Sequence, residues 1–247
     1  MARIALVVAT KNRAGMLKGM LNSLYWQDMD DWECIVISDR CTDQTKTMLA
    51  NWADKRIKVY ESSREGKGAA LNFAKLKVAS PLVKFFDDDD YLLPNSLRVY
   101  AEMMEETGAD MGYSGRYTLL LNNQLLYVKP EPFTLMDYIN HPMLGHGSLV
   151  MRTLLYKKIE HDDTYPASID FDFICKCAMT GARIAWTEVP LYIYRNHPES
   201  ITFASNPIQK EFYNKTRDRV LAELKEKPVT NEVIKWKPTP IGLPTQS

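Results

Sequence analysis

The residues from Leu82 to Asp90 read Leu-Val-Lys-Phe-Phe-Asp-Asp-Asp-Asp, and they limit what this chain can become more than any other stretch. A short run that is mostly apolar predicts a buried strand. Four carboxylates at its end cannot all be buried without neutralisation or a cation. The strand must therefore deliver them to an open edge, and in an open α/β sheet the edge at the carboxyl ends of the strands is where ligands bind. Asp87 and Asp89 suit a hard divalent ion, Mn2+ or Mg2+, which one or two carboxylates hold while water and substrate phosphate fill the other positions. The competing reading is an acidic turn, because Asp favours turns and caps and Pro94-Asn95-Ser96 marks a helix start downstream. Asp90 is assigned to that helix start.

The first hundred residues place this strand fourth in a series. Ile4 to Ala9 is a continuous apolar strand, broken by Thr10-Lys-Asn-Arg13 before helical spacing begins at Met16, Leu17, Met20, Leu21 and Leu24. Trp32 to Ser38 and Ile57 to Tyr60 predict the second and third strands, each followed by a polar loop and a helix. Such alternation specifies a mainly parallel sheet with right-handed crossovers. After a helix over Ser96 to Thr107 the rhythm changes. Met111 to Tyr113 and Tyr117 to Val128 predict strands, the second turning at Asn122-Asn123. Helices are expected over Phe133–Ile139, Leu154–Ile159, Asp170–Met179 and Pro207–Lys227, with strand from Arg183 to Tyr194 broken at Pro190. The prolines beyond Lys227 predict an extended tail, with Trp236 as its anchor.

With 247 residues, 45% of them hydrophobic and 25% charged, the chain suits one substantial core. Its formal net charge is zero, so nothing global favours nucleic acid or an anionic membrane. The apolar run near the N-terminus is too short for a signal peptide and no stretch approaches a membrane span, which predicts a soluble, cytoplasmic protein. Cys34, Cys41, Cys175 and Cys177 lack zinc-like spacing and are expected to be free buried thiols. Trp26, Trp32, Trp52 and Trp186 fall on apolar patterns and are expected in the core. Lys210, Lys215, Arg217 and Arg219 alternate with acids and predict a solvated helix face.

Polar residues end each of the first three strands. Thr10 and Arg13 follow the first. Asp39 follows the second and suits a base or ribose edge as an acceptor, whereas Asp43 suits a helix cap. Lys67, between Gly66 and Gly68, can approach a phosphate closely. The chain lacks GxxxxGK[ST] and GxGxxG, which argues against a P-loop NTPase or a dinucleotide oxidoreductase.

Taken together, Ile4-Ala-Leu-Val-Val-Ala-Thr-Lys-Asn-Arg13, Ile35-Val-Ile-Ser-Asp-Arg-Cys-Thr-Asp-Gln-Thr45, Gly66-Lys-Gly-Ala-Ala-Leu-Asn72 and Phe85-Phe-Asp-Asp-Asp-Asp-Tyr-Leu-Leu-Pro94 resemble the family 2 glycosyltransferases of the GT-A fold. A weaker likeness continues through Gly147-Ser148, Ile169-Asp-Phe-Asp172 and Tyr194-Arg-Asn-His-Pro-Glu-Ser-Ile-Thr202. The resemblance implies an α/β fold in one domain, with a mainly parallel mixed sheet flanked by helices. Residues 1–227 form the domain, 1–110 the nucleotide-sugar-binding half and 111–227 the acceptor-binding half, with 228–247 as the proline-rich tail. It implies donor-nucleotide contacts for Thr10, Arg13, Asp39, Lys67, Asp87 and the intervening Asp88. It places a metal on Asp87 and Asp89, the latter favoured for direct contact, with His197 completing the site. Asp170 matches the catalytic base. Ile169 stands where an acid commonly precedes that base, which keeps Asp172 in view, and Asp172 and His146 are candidates for the acceptor. Ser38 stands at a position that is often Asp.

The chemistry asked of such residues is coherent. Breaking a sugar–phosphate bond leaves charge on the nucleoside diphosphate, which a divalent cation stabilises, and an acceptor hydroxyl needs a carboxylate to take its proton. The expected activity is metal-dependent transfer of a sugar from a nucleotide-diphosphate donor, a UDP-sugar being favoured. The resemblance implies inversion. The acceptor is open among glycan, lipid-linked, protein and nucleic-acid hydroxyls. Two alternatives remain: a haloacid-dehalogenase-like phosphatase, whose strand also ends in Asp-x-Asp, and a nucleotide-sugar-binding protein without catalysis.

Overall fold

The computed structural model describes residues 2–142, 144–198 and 207–238. The first half runs β1 (Ile4–Thr10), α1 (Ala14–Leu24), β2 (Trp32–Ser38), α2 (Thr45–Ala50), β3 (Ile57–Glu61), α3 (Lys67–Ala74) and β4 (Leu82–Phe85). β5 (Tyr91–Leu92), α4 (Ser96–Thr107), β6 (Met111–Leu119), β7 (Leu125–Val128) and α5 (Leu135–Asn140) follow. After a 3-10 turn at His146–Ser148 come β8 (Val150–Arg152), α6 (Thr153–Lys158), α7 (Ile169–Ala178), β9 (Ile184–Arg195), α8 (Pro207–Glu226) and β10 (Val233–Lys235).

One ten-stranded sheet carries the fold, in the order β10-β9-β6-β8-β4-β1-β2-β3, with β5 against β9 and β7 against β6. The pairs β1–β2, β2–β3 and β1–β4 are parallel. β8 is antiparallel to both β4 and β6, which makes the sheet mixed. This is an α/β sheet with flanking helices, as the alternation predicts.

The pleat explains why the early strands read as unbroken apolar runs. In β1, Ile4, Leu6 and Val8 enter one core with α1 and α4, while Ala5 and Val7 enter the other with α3 and α7. A strand buried on both faces has no polar side to show. The chain leaves β1 for β2 on one side and returns through β3 and α3 to β4 on the other. The carboxyl ends of β1 and β4 therefore lie side by side where the winding changes direction, the place where such sheets bind ligands.

Several expectations are sharpened or corrected. β6 is continuous through Ser114–Arg116 and β9 through Pro190, because register shifts between Ser114 and Tyr117 absorb the proline without ending the pairing. The hairpin at Asn122-Asn123 forms, with Asn123 at φ 63°. The four cysteines are free and buried. Trp32 and Trp186 are in the core, but Trp26 is 69% exposed. The segment after Lys227 is extended, and part of it extends the sheet as β10, parallel to β9. The motif residues 199–202 and the tail from 239 lie outside the described residues.

Trp236 fixes β10 in place. It is 7% exposed, its backbone N–H donates to Trp186 O at 2.8 Å and its Nε1–H donates to Glu106 at 2.7 Å. Trp236→Ala is expected to lower the unfolding free energy by about 3 kcal/mol, measured by urea denaturation. A loss below about 0.5 kcal/mol, the usual range for surface changes, would mean that this end packs loosely.

Candidate active site

The four aspartates do not share one environment, because each meets a partner from a different element. Asp87 Oδ1 lies 2.6 Å from Lys67 Nζ at the start of α3. Asp88 Oδ2 accepts from Thr10 Oγ1 at 2.6 Å, and its Oδ1 accepts from Arg13 Nη1 at 3.0 Å. The same Arg13 nitrogen reaches Asp89 Oδ2 at 2.8 Å. His197 Nε2 approaches that oxygen at 3.0 Å from beyond β9. The predicted residues Thr10, Arg13, Lys67, Asp87, Asp88, Asp89 and His197 thus converge on one edge of the sheet.

Asp90 corrects its assignment to the helix start. It is fully buried, and its Oδ1 accepts the backbone N–H of Arg195 at 3.0 Å. Burial, with the charges of Asp87 and Asp89, pushes its carboxyl well above the usual range. Burial also raises Asp88, against Thr10 and Arg13. For Asp87 burial acts upward, but Lys67 outweighs it and the group is held low.

Asp39 follows β2, buried beside the end of β1, where its backbone N–H donates to Thr10 O. Its Oδ2 accepts from the N–H of Gly66, whose φ of 109° is open to glycine at little cost. Its Oδ1 is buried and has no partner in the protein. A buried carboxylate oxygen without a protein partner can accept from a ligand N–H or O–H. Asp43 stands one residue before the Gln44 cap of α2 and accepts from Thr45 N at 2.9 Å and from Ala14 N, at the start of α1, at 3.3 Å.

Asp170 opens α7 on the facing side of the cleft, preceded by Ser168 in the left-handed region at φ 56°. Its carboxyl is raised by burial, with Lys67 opposing and Asp87 reinforcing. The turn His146–Ser148 separates it from the β4 acids. A Cβ on Gly145 would stand 3.1 Å from Asp170 Oδ2, and one on Gly147 3.2 Å from Asp90 Oδ2 and 3.6 Å from Asp87 Oδ2. Glycine at 145 and 147 lets the backbone pass between two acidic groups.

The structure corrects both acceptor candidates. Asp172 is 1% exposed and faces α8: Arg219 Nη2 lies 2.9 Å from Oδ1, Thr216 Oγ1 3.2 Å from it, and Lys176 Nζ 2.6 Å from Oδ2. The α7 turn that presents Asp170 to the cleft points Asp172 away from it, and Arg219 is a partner of that acid rather than a solvated charge. His146 is buried beneath the turn against Phe85, His161 and Phe173, with its Nε2 3.3 Å from His161 Nε2. Burial and then Lys67 push its pKa down to about 3, so the ring is neutral and packs rather than contacts a substrate.

Two residues escaped the sequence. Arg195 donates through Nε to the Asp89 carbonyl and through Nη1 to Tyr91 Oη, tying the His197 segment to the acidic loop. Lys84 is buried in β4; its signal was a charge inside an otherwise apolar strand.

The match to known proteins follows this geometry. Residues 5–156 match the model of glycosyl transferase family 2. The chain belongs to that family. It is 25% identical over 156 residues to UDP-Glc:alpha-D-GlcNAc-diphosphoundecaprenol beta-1,3-glucosyltransferase WfgD of Escherichia coli, an alignment covering 62% of this chain and 61% of WfgD. The chain therefore spans less than two thirds of that relative. Staphylococcus aureus TarS 1-349 in complex with UDP-GlcNAc superposes with a TM-score of 0.77 at 23% identity, covering 93% of this chain and 68% of that one. Mannosyltransferase PcManGT from Pyrobaculum calidifontis, in complex with GDP-Man and Mn2+, superposes with a TM-score of 0.63 at 16% identity, covering 91% and 75%. The fold of this family 2 chain is GT-A. Among the described residues no helix is long and apolar enough to cross a membrane.

Asp172→Ala is expected to lower stability by about 2 kcal/mol by leaving Arg219 and Lys176 without their acid; the figure is below that of a fully buried pair because both cations are partly exposed. Nucleotide affinity, measured by calorimetry, should stay at the wild-type value. Loss of binding in a folded variant would return Asp172 to the site.

Proposed function

We propose that this chain transfers a sugar from a nucleotide-diphosphate donor, with UDP-sugars favoured, to an acceptor hydroxyl, with a divalent cation and inversion of the anomeric centre. The observation that carries this reading is the placement of Asp170, a carboxylate with a raised pKa, across a glycine turn from the acids of β4. The complexes of TarS with UDP-GlcNAc and of PcManGT with GDP-Man and Mn2+ support a nucleotide-sugar donor and a metal. The phosphatase alternative finds no support in the family match. A binding protein without turnover would not require a raised carboxylate facing the donor edge.

Asp39 holds the nucleoside through the oxygen that lacks a partner. Thr10 and Arg13 orient Asp88, and Lys67 with Arg13 brings positive charge to the diphosphate edge. Asp89 and His197 fit a divalent ion: their nearest atoms are 3.0 Å apart, close to the roughly 3 Å between neighbouring ligands with bonds near 2.1 Å. Among the described residues no three His, Cys, Asp or Glu side chains are grouped to hold an ion, so donor oxygens and water would supply the ligands beyond Asp89 and His197, and Asp87 would join them only by leaving its pair with Lys67. When bound, the ion offsets the charge that develops on the departing diphosphate. Asp170 takes the acceptor proton as the hydroxyl attacks the anomeric carbon from the side opposite the diphosphate. The names of WfgD and TarS speak for glycan and polyol-phosphate acceptors, lipid-linked in the WfgD case.

Turnover of UDP-glucose or UDP-GlcNAc in the presence of Mn2+ tests the reading directly. Asp170→Asn should lower transfer by about a thousandfold while leaving UDP affinity unchanged. The native rate should fall as the pH drops through the raised Asp170 pKa, since the base is then protonated, and the variant should lack this limb. Full activity of the variant would sink the base assignment. Asp39→Ala should weaken UDP about tenfold by calorimetry, the worth of one charge-assisted hydrogen bond, and native affinity would remove it from the nucleoside pocket.

A further inference from the structure

Lys84 occupies the centre of β4 with no exposed surface, in register with Leu6 on β1 and Val150 on β8. Its ammonium lies 4.9 Å from the ring centre of Tyr100, 5.2 Å from that of Phe86 and 5.8 Å from that of Tyr192. Burying a cation is costly unless it is paired and hydrogen-bonded, and an apolar side chain would avoid that cost. The bonds that Lys84 makes explain its presence. Nζ donates to Phe85 O at 2.8 Å and to Gly147 O at 2.5 Å. Tyr100 Oη donates to the next carbonyl of the turn, Ser148 O, at 3.2 Å. Successive carbonyls are thus gripped from the core side. The outer side of the same turn faces Asp87 and Asp90 at Gly147 and Asp170 at Gly145.

We propose that Lys84 is a positioning residue for sugar transfer: by holding Phe85 and Gly147 it fixes the turn that sets the distance between the donor acids and Asp170. The inference rests on the glycosyltransferase reading of this site. The reacting sugar must lie between those two groups, and small displacements there change rate more than nucleotide binding. The groups facing Lys84 are Asp87 and Asp90 from the acidic loop, Tyr100 from α4 and Tyr192 from β9. Burial pushes its pKa down to about 7, with Asp87 and Asp90 opposing. Ammonium and free amine both carry enough N–H groups for two carbonyls, so the grip holds in either state.

The test compares native protein, Lys84→Met and Lys84→Arg for hydrolysis of UDP-glucose and UDP-GlcNAc with Mn2+, and for UDP affinity by calorimetry. Met replaces the aliphatic stem of Lys as far as Cε and lacks its donors. Its kcat should fall by about ten- to a hundredfold, with UDP Kd within about threefold of native. Lys84→Arg, which keeps donors, should recover part of the kcat. Native-like kcat in Lys84→Met, or UDP affinity falling in step with kcat, overturns the inference. Should Lys84→Met melt below the assay temperature, Tyr100→Phe carries the test, because it keeps the ring and removes the hydroxyl that reaches Ser148 O and Ser114 Oγ: reduced kcat at unchanged UDP affinity supports the inference and native kcat overturns it. Native protein that turns over neither donor overturns the functional reading itself, and the inference with it.

Discussion

Four consecutive carboxylates at the end of a buried strand are an electrostatic demand that the rest of this molecule meets. Like charges at adjacent positions raise one another's pKa and resist burial. The demand is met from distant parts of the chain: Lys67 from α3 for Asp87, Thr10 and Arg13 from the end of β1 for Asp88, Arg13 and His197 for Asp89, and the Arg195 backbone for Asp90. None of these partners comes from β4 itself. The acidic run therefore ties the parallel half of the sheet to β9, which lies three places away from β4 in strand order.

Under the proposed function, the same pairing would prepare the site for an anionic ligand. Lys67 and Arg13 are held at the open edge by acids, so their positive charge would be in place before a diphosphate arrives. Electrostatic preorganisation of this kind does not have to be built during reaction. Asp39 is the complementary case. Satisfied on one oxygen by Gly66, it presents on the other a buried acceptor without a protein partner. A chain of zero formal net charge thus concentrates both signs of charge at one edge of the sheet.

Much of this was legible in the sequence where the signal was local. The apolar runs of β1, β2 and β4 and the polar residues ending them made the succession of strands and helices in the parallel half legible, because both faces of these strands are buried and no alternation competes. The antiparallel half was harder. Ser114–Arg116 and Pro190 read as breaks, yet bulges kept β6 and β9 paired, and register is a property of two strands that neither shows alone. Asp172 and His146 misled for another reason. Asp172 lies two residues from Asp170, and on a helix that spacing turns a side chain to a different face. His146 sits between glycines that suggested an open loop, whereas the glycines serve the backbone's passage beside Asp87 and Asp170 and the imidazole fills the core beneath.

The turn at His146–Ser148 shows why polar burial and the cleft belong to one design. From one core Lys84 and Tyr100 hold its carbonyls, and from the other His146 packs among Phe85, His161 and Phe173. Each of these groups costs stability when buried, through a displaced lysine pKa, a neutralised histidine or hydroxyls that need partners. An apolar core would be more stable but would leave the turn with only its own short hydrogen bonds. Gly145 and Gly147, where the backbone passes between Asp87 and Asp170, have nothing to pack, and His146 anchors the turn on one side only. On the other side its position comes from its carbonyls, and buried donors on the neighbouring elements hold them.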